Sequence, residues 1–447
     1  MKRVLIANRG EIALRAVRAC RKAGLESVAI YSQADAASPH VWAADHAVCI
    51  GPASATSSYL LADLQIEVAR STHCDAVYPG YGFLSERESF ATACEEAGLI
   101  FIGPSPEVIA TMGDKAAARR TAQSLGVPVV PGSQQGFVSS SEALPVAMEV
   151  GFPLLLKASA GGGGRGMRVA RDPADFKSLF EQASSEAQSA FGNGEIYLER
   201  FFENVRHIEV QVFSDSHGNH RHLWERDCSV QRRHQKLVEE APSPVISASV
   251  RRAMTEAAVT IIESIKYRNA GTIEFNYEVD TGQFFFIEMN TRIQVEHPVT
   301  ELITGLDLVV EQLRVAAGQP VSFEQMKTLP SRAAIEWRIC AEDPKRGFAP
   351  SPGRITRWRP PVGPHTRVDT HVYEGYAVPP HYDSMIAKLL VSGGDRNEVL
   401  DRSRYALAGF EVEGIPTTLG FHRELLQNPA FRDASIHTRW LDERGLA

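Results

Sequence analysis

Residues 271–298, "GTIEFNYEVDTGQFFFIEMNTRIQVEHP", constrain this chain more than any other stretch. Asp280-Thr281-Gly282 is turn chemistry between two β-rich runs, which predicts an antiparallel hairpin. With Val279 paired to Gln283 across a three-residue turn, Glu274 faces Glu288. Like charges directly opposed destabilise a sheet unless a cation lies between them. An all-oxygen pair favours magnesium or manganese, ions that also bind nucleotide phosphates. A one-residue slip would send the two carboxylates to opposite faces.

The alternation runs on past the hairpin. Glu288, Asn290, Arg292, Gln294 and Glu296 share one parity, and Ile287, Met289, Ile293 and Val295 the other, until Pro298 stops the strand and a helix begins near Thr300. A solvated edge strand would also carry a polar face. Here the face mixes acid, amide and cation and starts beside the two opposed carboxylates, which favours a functional site.

A second feature is "KASAGGGGRGM", Lys157 to Met167. Gly161, Gly163 and Gly166 satisfy the dinucleotide spacing G-x-G-x-x-G, but that motif needs a helix to start inside the run. The next residues, "MRVA", read as a strand, and a helix follows only from Pro173 to about Ala190. The context is strand, loop, strand. Such a loop is either a surface hairpin or a flap whose backbone N–H groups meet phosphate oxygens, with Lys157 adding a cation.

The first hundred residues alternate strands and amphipathic helices: "RVLIAN", a helix stopped at Gly24, "SVAIYS", "CDAVYPG", a helix opened by a Ser85-x-x-Glu88 capping box, and "LIFIGPS". They predict a parallel-sheet domain. Four units are expected, at 1–113, 114–203, 204–330 and 331–447. The segment "ERDCSVQRRHQKLVEE" is locally basic but lacks the interleaved aromatics of a nucleic-acid surface. Arg338 lies inside an apolar strand, where an unpaired cation is unfavourable; a structural salt bridge or a functional role would explain it.

Charge excludes a general polyanion binder: 54 acidic against 47 basic residues give a net charge of -7. No nucleic-acid or membrane partner is expected. Two basic residues and a short apolar run open the chain, but Arg9 and Glu11 interrupt it before a signal core could form. The six cysteines have no zinc spacing and read as reduced thiols of a cytoplasmic protein.

Together "IANRGEIA", "GYGFLSE", "GDK", "GGGGRGMR", "ERDCSVQRRHQK", "FIEMNTRIQVEHPVTE", "AEDP", "PSPG" and "YDSMIAKL" resemble the ATP-grasp biotin carboxylases, from the first residues to nearly the last. The resemblance implies a mixed α/β and α+β architecture: a Rossmann-like N-terminal domain, an ATP-grasp fold with a mobile glycine-rich lid, and a mixed α+β C-terminal domain. It implies ATP-dependent activation of bicarbonate to carboxyphosphate, then carboxyl transfer to biotin, with Mg2+ or Mn2+ as cofactor. Lys115 and Lys157 would hold the ATP phosphates with the Gly163 and Gly164 backbone closing over them, and Met167 would be a further ATP-binding residue. Glu199, Arg200, Phe201 and Phe202 would meet the adenine, with His207, Gln231 and His234 beside the nucleotide.

By the same resemblance Glu274, Glu288 and Asn290 would hold the metal, where the hairpin argument had already placed one. Lys236, Arg292, Gln294 and Val295 would hold bicarbonate, Glu296 would be the base, and Arg338 would stabilise the negative oxygen of deprotonated biotin. The sequence shows no biotinylation motif of the "AMKM" type, so a separate biotin carboxyl carrier protein and a carboxyltransferase subunit are expected partners, in a homodimer serving an acyl-CoA carboxylase such as acetyl-CoA carboxylase. Other readings are a different ATP-grasp ligase, a carbamoyl-phosphate-type synthase, or a non-catalytic nucleotide-binding subunit. Ala160, Arg200, Trp337 and Thr418 depart from the family's usual pattern; an alanine at Ala160 in a left-handed conformation would cost about 1 kcal/mol and stiffen the lid.

Overall fold

The structure, a computed structural model, describes residues 1–133, 135–158, 167–191 and 193–445. Apolar runs buried on both faces in β1 (Arg3–Ile6), β2 (Glu26–Tyr31) and β4 (Ala76–Tyr78), with the more exposed β3 (His46–Cys49) and β5 (Ile100–Phe101) at the edges, make a parallel sheet of order β3-β2-β1-β4-β5. The helix Gly10–Lys22 ends as predicted: Gly24 takes φ 70°, its N–H reaches Arg21 O, and the Leu25 N–H reaches Cys20 O. Strand order reverses between β1 and β4, which opens a crevice beyond their carboxyl ends. There the Asn8 side chain ties the two loops together, donating to Pro79 O at 2.7 Å and Tyr81 O at 2.8 Å.

The expected capping box does not form. The helix Glu88–Glu96 has Arg87 at its N-cap, because Ser85 is spent in a preceding turn, its N–H bonded to Gly82 O.

A small antiparallel sheet holds β6 (Leu154–Ala158), β7 (Arg168–Ala170) and β8 (Ile196–Arg200) in the order β7-β6-β8. Leu154, Leu156, Ile196 and Leu198 pack on Phe176 and Phe180 of the helix Pro173–Phe191, giving this unit its own core. Leu156 pairs with Arg168 across the glycine run, so the strand, loop, strand context holds. Ala160, Gly161, Gly163, Gly164 and Gly166 lie outside the described residues.

The largest sheet joins β9 (Val205–Ser214), β10 (His220–Arg232), β11 (Gln235–Ala241), β12 (Asn269–Glu278), β13 (Phe284–Asn290), β14 (Ala333–Cys340), β15 (Thr366–Thr370) and β16 (Met385–Gly393). All pairings are antiparallel, in the order β13-β12-β9-β10-β11-β14-β16-β15. Strands from before and after residue 330 therefore share one hydrogen-bonded sheet, joined where Val238 of β11 pairs with Trp337 of β14. No helix among the described residues is long and apolar enough to cross a membrane.

The hairpin differs from expectation in one instructive way. Its loop has four residues, since the Glu278 N–H bonds to Gln283 O and the Gly282 N–H to Glu278 O. Tyr277 then faces Phe284 and Phe275 faces Phe286, one step off the predicted register. A bulge at Ile287 restores the step, and Glu274 faces Glu288 after all. The polar alternation beyond is not a strand: β13 ends at Asn290, and the next helix, His297–Thr304, starts three residues before the expected Thr300. With Gln294 and His297 closing a turn through the His297 N–H, residues 291–296 fold back rather than extend.

Candidate active site

β9 alternates His207, Glu209 and Gln211 with buried Ile208, Val210 and Val212, which puts three polar side chains on the sheet face that Glu274 also occupies. Arg226 of β10 is fully buried there and donates to Glu209 at 2.5 Å, Gln211 at 2.6 Å and Gln294 at 2.7 Å. Lys236 of β11 reaches Glu209 at 2.5 Å, Glu296 at 2.7 Å and Glu274 at 3.1 Å. Burial opposes a charged lysine, but Glu209 and Glu296 outweigh it and hold the ammonium well above its ordinary pKa. The cations that the opposed Glu274–Glu288 pair demands are thus lysines: Lys236 on Glu274, and Lys115 on Glu288 at 2.7 Å.

Asn290 and Gln294 each donate to Glu274 Oε1 at 2.8 Å. Glu274 resists the upward push of burial because Lys236 and His207 hold it far below the usual carboxylate range. His207 Nε2 lies 3.2 Å from Glu274 and 3.6 Å from Glu209, a charge contact rather than an aligned hydrogen bond. Burial alone would keep His207 neutral; Glu274 carries it up to about 9. Glu274, Glu288 and Asn290 offer oxygen donors from adjacent strands, a set that fits a hard divalent cation.

These residues line a cavity of about 700 Å³ between the small sheet and the large one. Lys157 closes one side, paired to Glu199 at 2.5 Å. Arg200, Phe201 and Phe202 follow along β8 and its exit, where Phe202 stacks on Phe285 at 4.9 Å. Gln231 and His234 line the same wall. Arg233 and His234 form the two-residue turn between β10 and β11 with φ of 48° and 66°, a turn that non-glycine residues enter only under strain. Met167 does not line the cavity, and Gly163 and Gly164 are outside the described residues.

Arg292, Gln294, Val295 and Glu296 line the far end. Arg292 is aimed by Glu86 at 2.8 Å and by Asn290 Oδ1 at 2.9 Å. Glu296 is buried between Lys236 and Arg338; burial pushes its carboxyl up, and Lys236 and Arg338 hold it below its ordinary value. Arg338 donates to Glu239 at 2.6 Å and to Glu296 at 2.9 Å. It is shared with a second cavity of about 410 Å³ at the β1/β4 crevice, lined by Gly10, Glu11, Tyr81 and Gly82. The salt-bridge and functional readings of Arg338 are therefore compatible.

The unusual Thr418 supports the same strand, donating to Arg338 O at 2.9 Å and accepting from the Cys340 N–H at 3.0 Å. His422 also bonds Arg338 O, at 2.7 Å, and lies against the buried Trp337 ring. The residues that sequence reading passed over are Glu209, Arg226, Glu239, Lys388 and Glu11. The polar parity of His207, Glu209 and Gln211 was the one signal that could have found the first of them.

Residues 1–109 match the family model for the biotin carboxylase N-terminal domain, and residues 336–443 that for the biotin carboxylase C-terminal domain. Residues 114–324 match the ATP-binding domain of the carbamoyl-phosphate synthase L chain. A biotin carboxylase of Nostoc sp. is 49% identical over 441 residues, 99% of this chain and 98% of its own length. The chain belongs to the biotin carboxylases. Biotin carboxylase 1 of Bacillus subtilis is 48% identical over 442 residues, covering 99% and 98% of the two chains. The biotin carboxylase domain of Hydrogenobacter thermophilus 2-oxoglutarate carboxylase, a dimer solved with MgADP, ADP and bicarbonate, superposes with a TM-score of 0.90 at 46% identity, over 99% of this chain and 98% of that one.

Proposed function

We propose that this biotin carboxylase uses ATP and bicarbonate to carboxylate biotin, and that the cavity between the two sheets is where it does so. One observation carries the reading: an unbroken line of contacts runs from Glu274 through Lys236 and Glu296 to Arg338, linking a divalent-cation donor set to a cation at the mouth of a second cavity. A phosphoryl site and an acceptor site are thereby coupled through one base. Membership of the family, and relatives solved with ADP, magnesium and bicarbonate, support it. The carbamoyl-phosphate and scaffold readings lack support from the N- and C-terminal matches.

In this reading Lys115 and Lys157 bind ATP phosphates, Glu199 to Phe202 bind adenine, and His207, Gln231 and His234 flank the nucleotide. Glu274, Glu288 and Asn290 hold magnesium or manganese, which when bound draws negative charge from the transferring phosphoryl group. Arg292, Gln294, Val295 and Lys236 orient bicarbonate, and Glu296 accepts its proton. Glu296 as it stands is a weak base, held ionised by two cations. An arriving anion that draws Lys236 and Arg338 toward itself raises the basicity of Glu296 at the moment a base is needed. Arg338 then takes the charge that grows on the ureido oxygen of biotin.

The expected partners are a biotin carboxyl carrier protein, a carboxyltransferase subunit of an acyl-CoA carboxylase, and a second copy of the chain, in the cytoplasm. The domain limits 1–113, 114–203, 204–330 and 331–447 belong to the same proposal. Purified protein should cleave ATP slowly with bicarbonate, faster with free biotin, and carboxylate the biotin. ATP turnover indifferent to both compounds refutes the assignment. Co-purification with a carboxyltransferase acting on 2-oxo acids would overturn the acyl-CoA placement alone.

A further inference from the structure

Glu239 of β11 and Glu336 of β14 are direct cross-strand partners. Their side chains leave the same sheet face, with Cβ atoms about 4.5–5.5 Å apart. Arg338, two residues along β14, shares that face, and its Nε donates to Glu239 Oε1 at 2.6 Å. Both glutamates are fully buried. Glu239 Oε2 and both oxygens of Glu336 have no hydrogen-bond partner among the described residues. Of the other nearby cations, Lys388 on β16 is committed to Glu11 at 2.9 Å and to Val295 O at 3.0 Å, and Lys236 to Glu209, Glu296 and Glu274. Two adjacent carboxylates that share one guanidinium and leave three acceptors orphaned cannot both remain ionised in so dry a place. A proton kept on Glu336 supplies the missing donor and removes the repulsion.

We propose that Glu239 and Glu336 form a carboxyl pair that retains one proton and positions Arg338, with Glu239 the ionised member on the guanidinium and Glu336 the neutral acid. The inference rests on the reading of Arg338 as the group that faces biotin. Electrostatics agree. Burial pushes Glu239 up to about 7 although Arg338 pulls it back, and burial raises Glu336 well above the carboxylate range although Lys388 opposes this. Among the described residues the groups facing the pair are Arg338 on β14, Lys236 on β11, Cys228 on β10, Lys388 on β16, Tyr81 in the loop after β4, Glu296 at the head of the helix His297–Thr304, and Glu11 of the helix Gly10–Lys22. His297 of that first helix is kept neutral by burial. Loss of the proton places a second anion beside Arg338 and pins the guanidinium to the sheet, away from Glu296 and from substrate.

The test is made on the full chain. Difference infrared spectroscopy of wild type against Glu336→Gln should reveal a protonated carboxyl stretch that shifts in D2O and vanishes in the variant. In kinetics, Glu239→Gln should lower biotin-dependent turnover about tenfold more than bicarbonate-dependent ATP cleavage measured without biotin. Glu336→Leu should raise the KM for biotin about tenfold; Glu336→Gln, which keeps a neutral donor, should restore it to within about threefold and move the alkaline limb of the pH profile up by about one unit. A wild type without the carboxyl band, a Glu336→Gln profile identical to wild type, or a Glu239→Gln loss equal in both assays overturns the pair. Failure of wild type to carboxylate biotin overturns the functional reading instead, and the infrared result still decides the pair.

Discussion

Acid should weaken this fold through its buried histidines, His40, His371 and His422 among them. All three are buried, with exposures of 0%, 4% and 0%. Burial disfavours the imidazolium in each and lowers the pKa to about 4 for His40, about 3 for His371 and about 4 for His422. The unfolded chain returns each to about 6.5. Below that value the unfolded state takes up protons that the folded state refuses, so stability falls as pH falls from about 6.5 toward the folded values. At about pH 5 the loss is about 2 kcal/mol per histidine and about 6 kcal/mol for the three, an upper bound because a relaxing structure can admit a proton. That is a large share of the stability of an ordinary domain.

Urea titrations followed by fluorescence, at about pH 7.5, 6.5, 5.5 and 5, should show the midpoint falling steadily below about pH 6.5. His371→Gln and His422→Gln should each remove one histidine's share of that slope, about 2 kcal/mol by about pH 5, while His222, held down to about 4, and His297 carry further shares. A midpoint that is flat between about pH 6.5 and 5, or variants with the wild-type slope, would refute the reasoning. Two buried carboxyls work the other way in this window: Glu239, pushed up to about 7, and Glu336, raised well above the carboxylate range, are favoured by a falling pH and offset part of the loss. Asp307, held down to about 2 against the push of burial chiefly by Arg15, loses its contribution only as pH falls from about 4 toward 2. His422 adds a functional sign of the same event, since its protonation disturbs the ring that bonds Arg338 O.

Three other outcomes are expected. Glu288→Gln should cut magnesium-dependent ATP turnover at least about a hundredfold while the melting curve stays near wild type, because Glu288 is half-buried and Lys115 is its one ion-pair partner among the described residues; an active variant would remove its metal role. Lys388→Met should destabilise by about 3–5 kcal/mol by stranding the buried Glu11, and Glu11→Leu in the same chain should recover at least half, as read by a urea double-mutant cycle; additive losses would exclude the pair. Deleting Ile287 should remove the bulge and leave Glu288 directly opposite Glu274 in an unbroken ladder, so metal-dependent turnover should survive in a protein that still folds; its loss would show that the bulge itself aims Glu288.

The sequence carried the hairpin because turn residues and alternation are local, and it carried the opposed glutamates because opposition depends only on register. The loop was one residue longer than supposed, and the right pair emerged only through the Ile287 bulge, which no local pattern announces. Arg292, Gln294 and Glu296 line one cavity but not from the extended strand expected, since β13 stops at Asn290 and the chain turns into the helix His297–Thr304. The family resemblance supplied roles for Lys236 and Arg338. Neither it nor any periodicity could supply Glu239, Glu336 or Arg226, whose meaning lies in cross-strand neighbours far along the chain. The failed Ser85 cap shows the same limit on a small scale: a good motif yields when a turn next door uses its backbone first.

The large sheet crosses residue 330 without a break, and Lys236 and Arg338 stand on its adjacent strands β11 and β14. Neighbouring strands are about 4.8 Å apart, a distance set by backbone hydrogen bonds. A short-lived carboxyl donor made at one strand therefore has a fixed and brief journey to an acceptor at the next. The sheet β7-β6-β8 is separate from the large one, so a displacement of that small sheet would leave the length of the journey unchanged.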